Sequence, residues 1–291
     1  MLAVLCGVAA ALIFAGQFVV SRYGVKASFT PYDLVAIRYG ISGVIFLPVL
    51  VRYGLRDLAG IGWKRGLVLA LTGGVPYTVL LVKGVEFAPA SHGAVINPGL
   101  IPVFSLLFVW ILSSERPGIR AIIGLGLIGT GVASIGWGAL TGSSADVWWG
   151  DVLFGMSAAL WAMFTVLMHR WSIAPVRGVA VIACLSLLYL PIYSLMPAQR
   201  LFAAAFSDLL VQGFYQGVML GVLAMLLYGH AVRRLGASRA ALFPALVPVL
   251  GTLLAIPILG EIPSTLQVCG MVLVCLGMVA AQMAGGHRRR P

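Results

Sequence analysis

The sequence predicts an all-α integral membrane protein of ten spans, arranged as two five-helix repeats of inverted topology. Three observations carry this reading. Of the 291 residues, 61% are hydrophobic and only 9% are charged, with a mean hydropathy of +1.05. A soluble domain carries about 25% charged residues, so this chain cannot cover itself with a water-facing surface. Apolar runs recur from end to end, at about the 20 residues needed to cross a ~30 Å hydrocarbon core. Finally, Pro98, Pro102, Glu115, Pro117, Gly124 and Gly131 recur 146 residues later as Pro244, Pro248, Glu261, Pro263, Gly270 and Gly277. A period of half the chain, in residue types that punctuate backbones, marks a duplication. It divides the chain into residues 1–144 and 145–291.

Reading apolar runs between charged or Pro/Gly breaks places helices near 2–20, 31–51, 65–84, 91–113, 119–140, 148–168, 176–196, 211–232, 237–259 and 264–284. The first run lacks the basic segment that opens a signal peptide. Its Gly7, Ala10, Leu12 and Arg22 also return as Gly155, Ala158, Leu160 and Arg170, so it reads as helix 1. The prolines of helices 4 and 9, Pro98/Pro102 and Pro244/Pro248, stand four apart and share a face. Each removes an intrahelical hydrogen bond, and they read as kinks that bend during gating. Gly73, Gly74 and Pro76 make helix 3 a third hinge. Glu115 and Glu261 precede helices 5 and 10 and are expected to cap their N-termini. Gly124, Gly126, Gly129 and Gly131, with Gly270 and Gly277, offer small faces for close helix approach. That approach would be within a monomer, or between the copies of a homodimer through helices 5 and 10.

The net charge of +11 is not a nucleic-acid footprint, because the basic residues sit in short gaps between apolar runs. With the N-terminus cytoplasmic, 14 Lys and Arg residues fall inside: Arg52, Arg56, Lys64, Arg65, Arg116, Arg120, Arg170, Arg177, Arg233, Arg234, Arg239 and Arg288–Arg290. Only Arg22, Lys26, Lys83 and Arg200 fall outside. This is a positive-inside distribution with both termini cytoplasmic. Five helices per copy is an odd number, so the second copy must be inverted relative to the first. Two similar inverted halves can exchange conformations and open a central site to either side in turn, which is a transporter architecture.

Five-helix repeats with spaced prolines in the fourth helix, a Glu at the helix 4–5 turn and glycines down the fifth resemble the EamA family of the drug/metabolite transporter superfamily. The likeness spans the whole chain and includes the Gly260-Glu261 pair; the first copy departs with Ser114-Glu115. Length and aromatic content look most like the bacterial aromatic amino-acid exporter branch. The resemblance implies an inner-membrane exporter whose cavity is lined by helices 1–4 and 6–9, with helices 5 and 10 peripheral.

Arg38 is the one formal charge inside an expected span, about two turns from the end of helix 2. A charge there faces a cavity or a partner. It suits the carboxylate of an amino acid, which guanidinium grips bidentately. The structural alternative pairs it with Asp33, Glu86 or helix-end carbonyls. Gln17, Tyr77, Asn97, Trp161, Tyr193, Tyr215 and Gln216 fall on the cavity helices and suggest an apolar substrate site with few polar contacts. The carboxylates Asp33, Asp57, Glu86, Glu115, Asp146, Asp151, Asp208 and Glu261 map to loops or helix ends. Facilitated export of aromatic or neutral amino acids is therefore expected, rather than transport through a buried proton-carrying carboxylate. A permease for drugs, nucleosides or other small solutes is the alternative. The four histidines and four cysteines have no metal-ligand spacing, and no nucleophile motif or phosphate loop is present. No cofactor, metal or enzymatic activity is expected.

Overall fold

The computed structural model describes residues 1–114, 118–141, 146–197, 199–240 and 242–285. All regular structure among them is helical. In lipid, a backbone must satisfy its own hydrogen bonds, and a helix does so within one segment. The elements are α1 (Leu2–Ala27), α2 (Pro31–Tyr53), α3 (Trp63–Phe87), α4 (Ala90–Ser113), α5 (Ile119–Thr141), α6 (Val147–Arg170), α7 (Pro175–Ser194), α8 (Phe206–Leu235), α9 (Phe243–Leu259) and α10 (Thr265–Gly285). Among the described residues, nine helices are long and apolar enough to cross a membrane, and α9 is a shorter apolar helix. Nine of the ten expected spans are present among the described residues, and the expected 237–259 span is represented by the shorter Phe243–Leu259.

Packing follows a regular rule. α1 lies against α8 and α9, while α6 lies against α3 and α4. α2 packs on both α7 and α8, α7 on α3, α4 on α9, and α5 on α10. Replacing each helix by the one five places along the chain returns the same pairs. The closest pair is α5 with α10, where glycines admit backbone to backbone. A Cβ on Gly124 would come within 2.7 Å of the Gly277 oxygen, and one on Gly131 within 2.5 Å of the Gly270 oxygen. Gly124 meets Gly277 and Gly131 meets Gly270, so the two helices run antiparallel. The same sense holds for α2 and α7, where Gly43 packs on Leu187 and Gly40 on Leu190. Gly126 and Gly129 face open space instead.

Phe154 of α6 is the knob that joins the halves. It is fully buried, and Cβ atoms on Gly84 of α3 or Gly93 of α4 would lie 2.5 and 2.7 Å from its ring. Phe18 of α1 meets the same ring edge-on, with centroids 6.2 Å apart.

The breaks differ from a simple proline count. α3 is interrupted at Gly74, where Trp63–Gly73 ends and Val75–Phe87 begins with Pro76 in its first turn. α4 runs unbroken through Pro98 and Pro102. Pro244 and Pro248 do not sit mid-helix as expected. Ala237–Ala240 is a separate short helix, and both prolines open α9, in a 3₁₀ turn and the start of its α-helical part. There a missing N–H costs nothing.

Glu261 also departs from expectation. Its carboxylate caps α4 rather than α10, accepting the Ala90 N–H at 2.8 Å. It pairs with Arg22 at 2.6 Å and Lys26 at 3.8 Å, while Arg22 donates to the Val85 carbonyl. One carboxylate thus ties the ends of α1, α3, α4 and α9. The start of α10 is capped instead by Ser264 and Gln267, each side chain bonding the other's backbone N–H. Glu115, the twin of Glu261, lies outside the described residues.

Replacing Gly131 with Leu should separate α5 from α10 and destabilise the protein by about 1–3 kcal/mol. Gly129→Leu, facing open space, should leave the thermal midpoint in detergent unchanged. Equal midpoints for both variants would contradict the glycine-mediated contact.

Candidate functional site

α2 begins where Thr30 and Asp33 form a reciprocal cap with Pro31 in the first turn. That register sets Arg38 on the buried face of α2, 6% exposed. α8 approaches the same face through a wide π-helical stretch, Gly213–Leu223, a rare winding that in single turns is frequent at functional sites. Small residues allow the approach. A Cβ on Gly217 would lie 2.4 Å from Ile41, and one on Gly221 2.7 Å from Ser42. The result puts Gln216 against the guanidinium.

The Gln216 Oε1 accepts from Arg38 Nε at 3.0 Å and from Nη2 at 2.5 Å. Its amide nitrogen donates to Ser21 Oγ at 2.9 Å, and Gln212 donates to the Val20 carbonyl at 2.8 Å. α1, α2 and α8 are tied at one point. Ser42 Oγ donates to the Arg38 carbonyl at 2.7 Å. The neighbouring Tyr39 hydroxyl lies 2.8 Å from Thr78 Oγ1 and donates to the Gly73 carbonyl beside the break in α3. Tyr77 stacks on Trp161 with centroids 4.8 Å apart, and Trp161 continues onto Phe164 at 4.9 Å. The phenols of Tyr39, Tyr77 and Tyr215 are near enough to the guanidinium to interact with it electrostatically.

Neither charged partner considered from the sequence holds Arg38. Asp33 accepts from Thr30 N–H, the Tyr193 hydroxyl and Arg200 N–H, and Glu86 pairs with Lys83 at 3.1 Å. Among the described residues, no carboxylate lies within salt-bridge distance of Arg38. A guanidinium carries five N–H donors, and one neutral amide oxygen serves two of its nitrogens. A buried cation without counter-charge is costly. The arrangement suits an incoming anion.

Of the residues singled out from the sequence, Arg38, Tyr77, Trp161, Tyr215 and Gln216 gather here. Tyr215 donates to the Ile13 carbonyl at 2.7 Å. Gln17 is buried on α1. Asn97 donates to Ser157 Oγ at 2.6 Å and to the Phe154 carbonyl, so it ties α4 to α6. Tyr193 belongs to the end of the bundle, with Asp33, and lines a groove with Tyr32, Met196 and Pro197. Sequence reasoning missed Ser21, Tyr39, Thr78 and Gln212. Signals pointed to two of them: Gln212 sits one turn before Gln216, and Tyr39 adjoins the only charge expected within a span.

The EamA-like transporter family model matches the chain twice, over residues 1–137 and 148–281. An uncharacterized transporter of Archaeoglobus fulgidus is 24% identical over 273 residues, covering 92% of each chain. The uncharacterized transporter YyaM of Bacillus subtilis is 24% identical over 285 residues, covering 92% of this chain and 90% of its own. A crystal structure superposes over 97% of both chains with a TM-score of 0.63 at 20% identity, which shows a shared fold. With the fold, the spans and both halves accounted for, the chain belongs to the EamA-like transporter family of multi-pass membrane proteins.

Proposed function

We propose that this transporter exports small organic solutes carrying a carboxylate, amino acids with aromatic or neutral side chains above all, by alternating access. The observation behind this is the buried Arg38, whose neutral partner Gln216 leaves its charge uncompensated. A substrate carboxylate would complete the guanidinium as a bidentate ion pair. The Tyr77–Trp161–Phe164 stack offers an apolar and aromatic wall for the rest of the molecule.

Alternating access rests on the two halves, with a boundary near residues 144 and 145, being inverted copies. The antiparallel packing of the twins α5/α10 and α2/α7 supports this, because a repeat related by an axis along the membrane normal would run its twins parallel. The break at Gly74 and the prolines Pro98 and Pro102 are the proposed bending points. Orientation follows the basic residues. Arg22 and Lys26, at the Glu261 end of the bundle, face the outside; Arg65, Arg170 and Arg177, at the opposite end, face the cytoplasm with both termini. The membrane is then the inner membrane of a bacterium-like cell.

Counterflow into liposomes tests this reading. Vesicles preloaded with an unlabelled neutral or aromatic amino acid, with no ion gradient, should take up the labelled compound saturably. Arg38→Ala should cut uptake at sub-saturating substrate by roughly tenfold to a hundredfold, the loss of about 1.5–3 kcal/mol from a charged hydrogen bond. Trp161→Ala should weaken aromatic substrates more than small ones. Uptake unaffected by Arg38→Ala would contradict the proposal. Competition by nucleosides or drugs, with no competition by amino acids, would move the substrate to another class.

A further inference from the structure

His92 lies in the first turn of α4 and is buried. Its Nδ1 stands 2.9 Å from Asp151 Oδ1 of α6, and its Nε2 stands 2.7 Å from the Gln267 amide nitrogen of α10. The Gln267 orientation is fixed, because its Oε1 already accepts the Ser264 N–H at 2.8 Å. An amide nitrogen only donates. His92 Nε2 is therefore an acceptor, and the ring is neutral with its proton on Nδ1, shared with Asp151. The second Asp151 oxygen is buried and without a hydrogen-bond partner among the described residues. Beside the ring, Ser91, Thr252 and Gln267 line a cavity of about 10 Å³, near the room one water needs.

The charges facing this pair are few. α6 brings Asp151, with Asp146 at its exposed start. α10 brings the neutral Gln267 and α5 brings Ile135. Glu261, just past the end of α9, holds Ala90, two residues before His92, and carries Arg22 and Lys26 of α1 with it. α3 ends with the Lys83–Glu86 pair.

We propose that His92 and Asp151 form a proton-binding site through which transport is coupled to protons. A proton delivered by water in the cavity adds to Nε2, while the Nδ1 proton stays on the ring and is donated to the Asp151 carboxylate, so the neutral imidazole becomes an imidazolium paired with that carboxylate. Nε2–H then faces the Gln267 NH₂, donor against donor, so the α4–α10 hydrogen bond breaks beside the Glu261 closure. Loss of the proton restores it. The proposal differs from the expectation of facilitated export without a buried proton-carrying carboxylate; Asp151 sits near a helix end, as the sequence implied, yet its Oδ2 is buried. The consequence for transport rests on the alternating-access reading, but the protonation itself does not.

Nitrogen NMR of the full chain labelled at histidine tests the site without any substrate. The His92 Nε2 signal should change from that of an unprotonated acceptor to that of a protonated nitrogen as the pH is lowered. Gln267→Glu keeps an oxygen for the Ser264 N–H and presents an acceptor to Nε2–H, so it should raise the midpoint by about one unit, tenfold in proton affinity. Asp151→Asn should lower it. Coupling is read by labelling a Thr252→Cys variant, free of its other cysteines, with a membrane-impermeant thiol reagent. Labelling that follows the His92 titration supports the proposal. An Nε2 that stays unprotonated at every pH at which the protein remains folded, a midpoint unmoved by Gln267→Glu, or labelling that does not follow the Nε2 signal would overturn it.

Discussion

Close approach of helix backbones is the constraint on which the rest depends. Lipid tails are as apolar as leucine, so helices in a membrane gain little by hiding apolar side chains from lipid and associate through packing and interhelical hydrogen bonds. Here the packing is supplied by glycines at matched positions. Gly124 and Gly131 meet Gly277 and Gly270 along α5 and α10, and Gly43 and Gly217 let α7 and α8 reach α2. Without the last of these approaches, Gln216 would not reach Arg38.

That approach also explains how a charge is kept in the bundle. Arg38 is held by an amide, and the amide by Ser21, so positioning is obtained without neutralising the guanidinium. A carboxylate partner from the protein would have made a stable but closed site. Leaving the charge open costs free energy, and under the proposed function a substrate carboxylate would recover it. Asp33, Asp151 and Glu261 lie instead at one end of the bundle. There they tie helix ends together through hydrogen bonds and ion pairs.

Much of the fold was legible because its signals are local and strong. Apolar length marks a span, and proline, glycine and glutamate at a constant offset mark a repeat. The unusual position of Arg38 also showed as a lone charge in an apolar run. The partners did not show. Gln216 and Ser21 lie 178 and 195 residues from their contacts, and no periodicity connects them. Glu261 reads as a cap for the helix that follows it, and only the folded bundle brings Ala90 and Arg22 to its carboxylate. Pro244 and Pro248 looked like interior kinks because the apolar run begins earlier than the helix does. His92 and Asp151 look unremarkable at helix starts, and gain meaning only when α10 supplies a glutamine whose orientation is already fixed.

The most direct measurement is the thermal stabilisation of the purified protein by an aromatic amino acid compared with its amide. If Arg38 recognises a carboxylate, the acid raises the unfolding midpoint in a concentration-dependent way, the amide does not, and Arg38→Gln abolishes the difference. Equal stabilisation by acid and amide, or a difference that survives in Arg38→Gln, would contradict the account.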